Sequence, residues 1–266
     1  MTHLDTPPAA TAESVLHQFV HAVTRNTHTP FREVELTPHP TILWANPDAP
    51  ETALEQFRIL RTKLLQHPAN PRAILVASPC PEDGKSTTAI NLAGMLAFRH
   101  RTLLLDCDLR RSSIAARLGL GPQPGLYSAL LGGPLHEAIV SPRSLPNLAI
   151  LPAGTPTVHP TELIGLPAWQ TLLTHLRANF DYIVCDSPPI TALADFPLLE
   201  QLVDASLLVV RSNHTDRLAM GAAIDTMDPA KFWGVVLNHS EDWFLWKSKP
   251  HYGDYDYTTN IQEPQP

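Results

Sequence analysis

Short runs of consecutive apolar residues alternate along the chain with longer stretches whose apolar residues return every third or fourth position. The short runs are Ala73–Ala77, Thr102–Leu105, Leu148–Leu151, Tyr182–Cys185, Ala205–Val210 and Trp233–Leu237. Each has the length of a strand and no internal polar alternation, the mark of burial on both faces. Between them, Thr88–Ala97, Ser112–Leu118, Thr161–Ala178 and Thr215–Met227 carry helical spacing, with Pro167 bending or splitting the third. Upstream, Ala53, Phe57, Leu60 and Leu64 line one helix face. Strands alternating with helices predict an α/β fold, a mostly parallel sheet with helices on both faces. Such sheets take ligands at the carboxyl ends of their strands.

The regular pattern begins at Glu51. Residues 1–50 hold seven prolines and little periodicity, apart from Val15, Leu16, Phe19, Val20 and Val23 at the spacing of an amphipathic helix. The predicted organisation is a flexible arm over 1–50, one domain over 51–241, and a flexible tail over 242–266. An apolar content of 44% is enough for a sizeable core, and 27 prolines against 12 glycines imply stiff connecting segments.

A net charge of −7 leaves no basic stripe, so nucleic acid is not an expected partner. No run of 18 apolar residues is present, and Met1–Ala10 has neither a basic nor an apolar region, so neither a membrane span nor a signal peptide is expected. Cys80, Cys107 and Cys185 form no C-x-x-C pair, which fits a reduced, cytoplasmic setting. Each lies beside a strand end. Oxidant sensitivity is the sharper reading of that placement, and small buried side chains the commoner one.

The chemistry concentrates where strands end. After Ala73–Ala77 comes Ser78-Pro-Cys-Pro-Glu-Asp-Gly-Lys-Ser-Thr-Thr88 and then a helix, the context a phosphate-binding loop requires. Loop N–H groups and the helix dipole favour a triphosphate. Lys85 would neutralise the β- and γ-phosphates and the Ser86 hydroxyl would ligate Mg²⁺. Asp106, Asp108 and Asp186 each close a strand. Singly, each reads equally as a helix cap or turn residue. Together with Gly84-Lys85-Ser86 they suggest one metal-phosphate site, some carboxylates acting through water.

These motifs carry a resemblance. Asp106-x-Asp108-x-Arg110 after one apolar strand and Asp186-Ser187-Pro188-Pro189 after another resemble the bacterial tyrosine kinases of the CapB/CpsD/Wzc kind, with their variant Walker A, Walker A′ and Walker B motifs. Glu55-x-x-Arg58-x-x-Arg61 is similar to that family's oligomerisation helix. Gly125-Leu126 with Leu130, and His159-Pro160-Thr161-Glu162-Leu163, also resemble family segments, so the likeness spans residues 51–240. It implies a P-loop fold shared with ParA and MinD, and ATP- and Mg²⁺-dependent phosphorylation of protein tyrosines. Pro81, Glu82, Asp83, Gly84, Lys85, Ser86 and Thr87 would cradle the nucleotide, with Asn238 at the adenine. Ser86, Asp108 and Asp186 would organise Mg²⁺, and Asp106 rather than Asp108 is the first choice for the base, the resemblance leaving both open to that role.

The tail adds a clue of its own. Tyr252, Tyr255 and Tyr257, three of the five tyrosines, lie in the last 15 residues, in an acidic stretch. A substrate role is the economical reading, and the resemblance implies autophosphorylation there. It also implies a ring-shaped homo-oligomer, a transmembrane polysaccharide co-polymerase as activating adaptor, recruitment to the inner face of the plasma membrane, and a cognate phosphatase. The setting would be capsule or exopolysaccharide synthesis and export. Trp243-Phe244-Leu245-Trp246 is an apolar cluster that reads as a cap on the domain or a docking site.

The loop departs from the family pattern. Where Pro-Gly-Glu-Gly-Lys is usual, this chain has Pro81-Glu82-Asp83-Gly84-Lys85. A positive φ at Glu82 would cost about 1–3 kcal/mol. Two other functions stand beside the kinase: a ParA/MinD-like switch ATPase, and a non-catalytic ATP-binding regulatory subunit. The first expects a lysine where Cys80 stands and a basic amphipathic tail. The second is kept open by Glu82.

Overall fold

The computed structural model describes residues 31–155, 160–190 and 195–240. The amphipathic segment around Val15–Val23, the tail tyrosines and the Trp243–Trp246 cluster lie outside these residues. In chain order, the elements are β1 (Arg32–Val34), a 3₁₀ turn (Leu43–Ala45), α1 (Glu51–Leu65), β2 (Ala73–Ala77), α2 (Lys85–Ala97) and β3 (Thr102–Asp106). Three short helices follow, α3 (Ile114–Leu118), α4 (Leu126–Leu130) and α5 (Leu135–Ala138), then β4 (Val140–Pro142) and β5 (Leu148–Leu151). The remainder is α6 (Pro160–Ile164), α7 (Ala168–Asn179), β6 (Tyr182–Asp186), α8 (Asp195–Gln201), β7 (Ala205–Arg211), α9 (Arg217–Thr226) and β8 (Phe232–Asn238).

The strands form one sheet in the order β1-β4-β5-β3-β6-β2-β7-β8. Every pairing is parallel except β4 with β5. β2, β3 and β6 are buried at every position, which is why they read as unbroken apolar runs. One apolar layer lies between the sheet and α4, α7 and α8, centred on Trp169, Leu172 and Phe196. The other lies beneath α2 and α3, with Ile90, Leu96 and Ile114 at its centre. Pro167 splits the predicted 161–178 helix into α6 and α7, since its ring cannot follow a helical carbonyl but suits a first turn.

The expected boundary at residue 51 is corrected by the structure. Residues 31–50 belong to the domain. β1 extends the sheet by pairing with β4, register Arg32↔Val140. Ile42 is fully buried, Leu43 N–H donates to Asn91 Oδ1 at 2.7 Å, and Trp44 Nε1 donates to the Ile90 carbonyl at 3.2 Å. The indole occupies the space a side chain at Gly94 would need: a Cβ there would stand 2.2 Å from Trp44 Cδ1. The segment looked loose because β1 has only three residues and the anchors Ile42 and Trp44 form no period. β4 was missed for the same reason.

Ile42→Ala should therefore lower the unfolding free energy by about 2–5 kcal/mol, read from denaturant melts. An unchanged midpoint would mean that 31–50 is not part of the cooperative unit.

Candidate functional site

The phosphate loop runs from Ser78 to Lys85 between β2 and α2, and its shape is set by two left-handed residues, Glu82 (φ 67°) and Gly84 (φ 100°). The suspected strain at Glu82 is present. Its carboxylate is exposed to solvent, and its carbonyl accepts from Arg211 Nη1 at 3.4 Å. Gly84 is obligatory: a Cβ there would stand 2.0 Å from Asn238 Nδ2, besides the positive φ. Asn238, at the end of β8, donates through Nδ2 to the Asp83 carbonyl at 2.9 Å. Asp83 is itself fully buried. One oxygen accepts the Cys80 N–H at 2.9 Å, and the other accepts the Thr215 hydroxyl at 2.7 Å and lies 3.2 Å from His214 Nδ1. The loop is thus fastened from the β7 and β8 ends.

In front of the loop the three strand-end aspartates converge. Asp106 and Asp186 are register partners across β3 and β6. Asp106 and Asp186 are wholly buried and Asp108 is 3% exposed. Lys85 Nζ lies 3.4 Å from Asp108 Oδ2, 3.5 Å from Asp186 Oδ1 and 3.2 Å from Ser86 Oγ. Asp106 accepts backbone N–H groups of Asp108 (3.1 Å) and Ile114 (3.3 Å), so it also shapes the turn after β3. Asp108 Oδ1 caps that turn, accepting from the N–H of Arg110 and Arg111. The cap role and the site role coincide in the same residues.

Burial pushes the Asp106 carboxyl well up, with Asp186 adding to it and Lys85 opposing. Burial also raises Asp186, against the pull of Lys85 and the nearby Ser86 hydroxyl. For Lys85, burial pulls the ammonium down, but Asp186, Asp108 and Asp106 outweigh it and leave it raised.

These side chains fit a hard divalent cation. Neither buried oxygen of Asp186 has a donor in good hydrogen-bond geometry, Lys85 standing off at 3.5 Å from Oδ1 as an ion pair only, so the carboxylate has capacity for a further partner. The donor set of Ser86, Asp108 and Asp186 is all oxygen, as Mg²⁺ requires. Among the described residues no three His, Cys, Asp or Glu side chains could hold a metal unaided. Mg²⁺ is ordinarily completed by phosphate and water instead.

Asp195 and Arg117 have no sequence signal of their own. Arg110 Nε donates to Asp195 Oδ2 at 2.9 Å, and its Nη2 reaches Thr161 Oγ1 at 2.8 Å. Asp195 is 1% exposed and also accepts the Thr161 hydroxyl. A clasp therefore ties the turn after β3 to the starts of α6 and α8. Arg117 Nη1 donates to Thr87 Oγ1 at 3.2 Å. Within the predicted oligomerisation motif, Arg58 pairs along its own helix with Glu51 and Glu55. Arg61 turns onto the domain and donates to the Met95 carbonyl at 3.3 Å. Cys107 and Cys185 are buried, and burial, with Cys185 adding to it, pushes the Cys107 thiol well up, which favours the unreactive reading.

No protein-family model matches the chain. It is 31% identical over 189 residues to the tyrosine-protein kinase YwqD of Bacillus subtilis, covering 69% of this chain and 80% of that one. It is 32% identical over 218 residues to the succinoglycan biosynthesis transport protein ExoP of Rhizobium meliloti, covering 79% of this chain but only 27% of that protein. Among solved structures, the VpsO kinase domain superposes with a TM-score of 0.64 at 33% identity, covering 72% of this chain and 96% of that one. The chain thus spans most of some relatives and about a quarter of others.

A pH dependence follows from the site. Asp106 has its folded value raised, so the folded state holds more protons than the unfolded state between the ordinary carboxylate value and the raised one. Stability then falls as pH rises through that window. Lys85, also raised, keeps its contribution over the same range and loses it only at alkaline pH. Asp106→Asn should flatten the decline in ligand-free melting temperature as pH rises above the ordinary carboxylate range; parallel curves would contradict the assignment.

Proposed function

The chain belongs to the bacterial tyrosine kinase family, and on that premise we propose that it transfers the γ-phosphoryl group of ATP to tyrosine hydroxyls, first of all those of its own tail. The observation that carries the reading is the Lys85 ammonium held between the buried carboxylates of Asp108 and Asp186 at the mouth of the phosphate loop. In this reading, loop N–H groups of residues 82–87 and the start of α2 cradle the phosphates. Lys85 leaves its carboxylate partners for the β- and γ-phosphates, and Asn238 faces the base. Ser86, Asp108 and Asp186 would hold Mg²⁺, directly or through water, and the ion would supply charge neutralisation.

The chain's remaining task is positioning and proton handling. The tyrosine oxygen bonds to the γ-phosphorus as the bond to ADP breaks, and the phenolic proton passes to Asp106. Asp106 is the member of the carboxylate cluster left without a metal role in this reading, which leaves it to take that proton. Lys85 and the loop N–H groups stabilise the charge that moves onto ADP.

The substrate tyrosines in this reading are Tyr252, Tyr255 and Tyr257. Intact-mass spectrometry after incubation with Mg-ATP should show steps of one phosphate, up to three. Neither Lys85→Met nor a truncation after Ser248 should gain any. ATP bound with no phosphate gained would favour a non-catalytic ATP-binding subunit.

Assembly and setting extend the same proposal. No helix among the described residues is long and apolar enough to cross a membrane. ExoP carries a biosynthesis and transport role for succinoglycan by name. We place this chain in a comparable polysaccharide system, at the inner face of the membrane, activated by a transmembrane adaptor and reset by a phosphatase. Self-association through Glu55, Arg58 and Arg61 is part of the reading, with Arg58 the half-exposed member able to exchange its intrahelical pair for a neighbour. Arg58→Ala should shift the mass in light scattering toward monomer; an unchanged mass would refute that role.

A further inference from the structure

Which tyrosines the site prefers can be read from the side on which the hydroxyl must arrive. In the kinase reading, Asn238, which packs against Gly84 toward β8, marks the adenine end of the loop, and Lys85 with Asp108 and Asp186 marks the γ-phosphate end. In-line displacement brings the acceptor from the side opposite the departing ADP. In this sheet that side lies away from β8, toward β3 and β5, where the turn following Asp106 projects. Two consecutive arginines, Arg110 and Arg111, stand on that turn.

Their environments differ in a useful way. Arg110 is held by Asp195 through Nε and Nη2 and by Thr161 through Nη2. Its orientation is therefore fixed before any ligand arrives, while its side chain stays 36% exposed and Nη1 has no partner among the described residues. Asp195 balances its charge. Arg111 is exposed, and its side chain makes no hydrogen bond or ion pair among the described residues. In a chain of net charge −7, Arg111 thus presents an exposed positive charge beside the phosphate end.

We infer that Arg110 and Arg111 form an acceptor-side rim that selects tyrosines flanked by acidic side chains. Arg110 offers one pre-oriented donor nitrogen, Nη1, and Arg111 an exposed positive charge. The inference rests on the kinase reading. The chain's own tail has the matching chemistry, since Asp254 and Asp256 stand on either side of Tyr255.

The test uses the full chain, Mg-ATP, and two synthetic peptides: the 251–260 sequence, and the same sequence carrying D254N and D256N. The wild type should favour the acidic peptide in kcat/KM by roughly five- to tenfold, the scale of two half-exposed ion pairs. Most of that preference should lie in KM for the peptide and shrink at about 0.5 M salt. Arg111→Gln should reduce it to about twofold with KM for ATP unmoved, and Arg111→Lys should restore most of it. Thr161→Val, which loosens Arg110 and keeps its charge, should raise KM for the acidic peptide alone. Equal kcat/KM on the two peptides in the wild type, or a preference untouched by Arg111→Gln, overturns the rim. Mg-ATP binding with neither peptide phosphorylated overturns the kinase reading itself, and the rim with it.

Discussion

Three carboxylates share a site closed to water, and one ammonium holds them there. Asp106 and Asp186 have no exposed surface and Asp108 almost none, while Lys85 is the cation in ion-pair contact with both Asp108 and Asp186. Burying like charges together is unfavourable unless each is paired or protonated. The structure meets this in three ways. Backbone N–H groups of the turn after β3 bind Asp106 and Asp108, Lys85 draws in Asp108 and Asp186, and burial raises the carboxyls of Asp106 and Asp186. What stays unmet is the hydrogen bonding of Asp186. An arrangement with that capacity left over is suited to receiving a cation and a polyphosphate, which supply the missing partners.

That cluster places a demand on the loop behind it. Lys85 must be delivered to one point, so the loop must hold its shape without the glycines that usually allow it. Here Glu82 adopts φ 67°, a conformation that costs a non-glycine residue about 1–3 kcal/mol. The offset comes from elsewhere in the chain. Asp83 is turned inward and bound by Thr215, His214 and the Cys80 N–H, and Asn238 and Arg211 hold the carbonyls of residues 83 and 82. Each of these partners lies more than a hundred residues downstream except Cys80. The loop's geometry is thus a tertiary property, and Glu82, which looked unsuited to a phosphate site, keeps its carboxylate in solvent.

The same logic applies at the other end of the site. Arg110 is drawn into position by a buried carboxylate at the start of α8 and a hydroxyl on α6, so the turn after β3 is tied to both helices. On the far side, residues 31–50 close over α2, with Trp44 filling the gap left by Gly94 and Asn91 tied to both the Leu43 N–H and the Thr41 carbonyl. α2 carries Lys85 at its first position. The N-terminal packing therefore steadies the helix that presents the lysine.

The sequence by itself determined the α/β class, the six long strands, the split at Pro167, and the meeting of the loop with Asp106, Asp108 and Asp186. It could do so because those features are local. Strands buried on both faces are continuous apolar runs, and a parallel sheet sends the ends of all its strands to one edge. Asp195, Thr161, Thr215 and the packing of Ile42 and Trp44 were decided only by the tertiary structure. A lone aspartate opening a helix, or a tryptophan in a proline-rich stretch, has no period and no motif. Its role exists only through a partner such as Arg110 or Gly94, brought near by folding 50 to 85 residues of intervening chain.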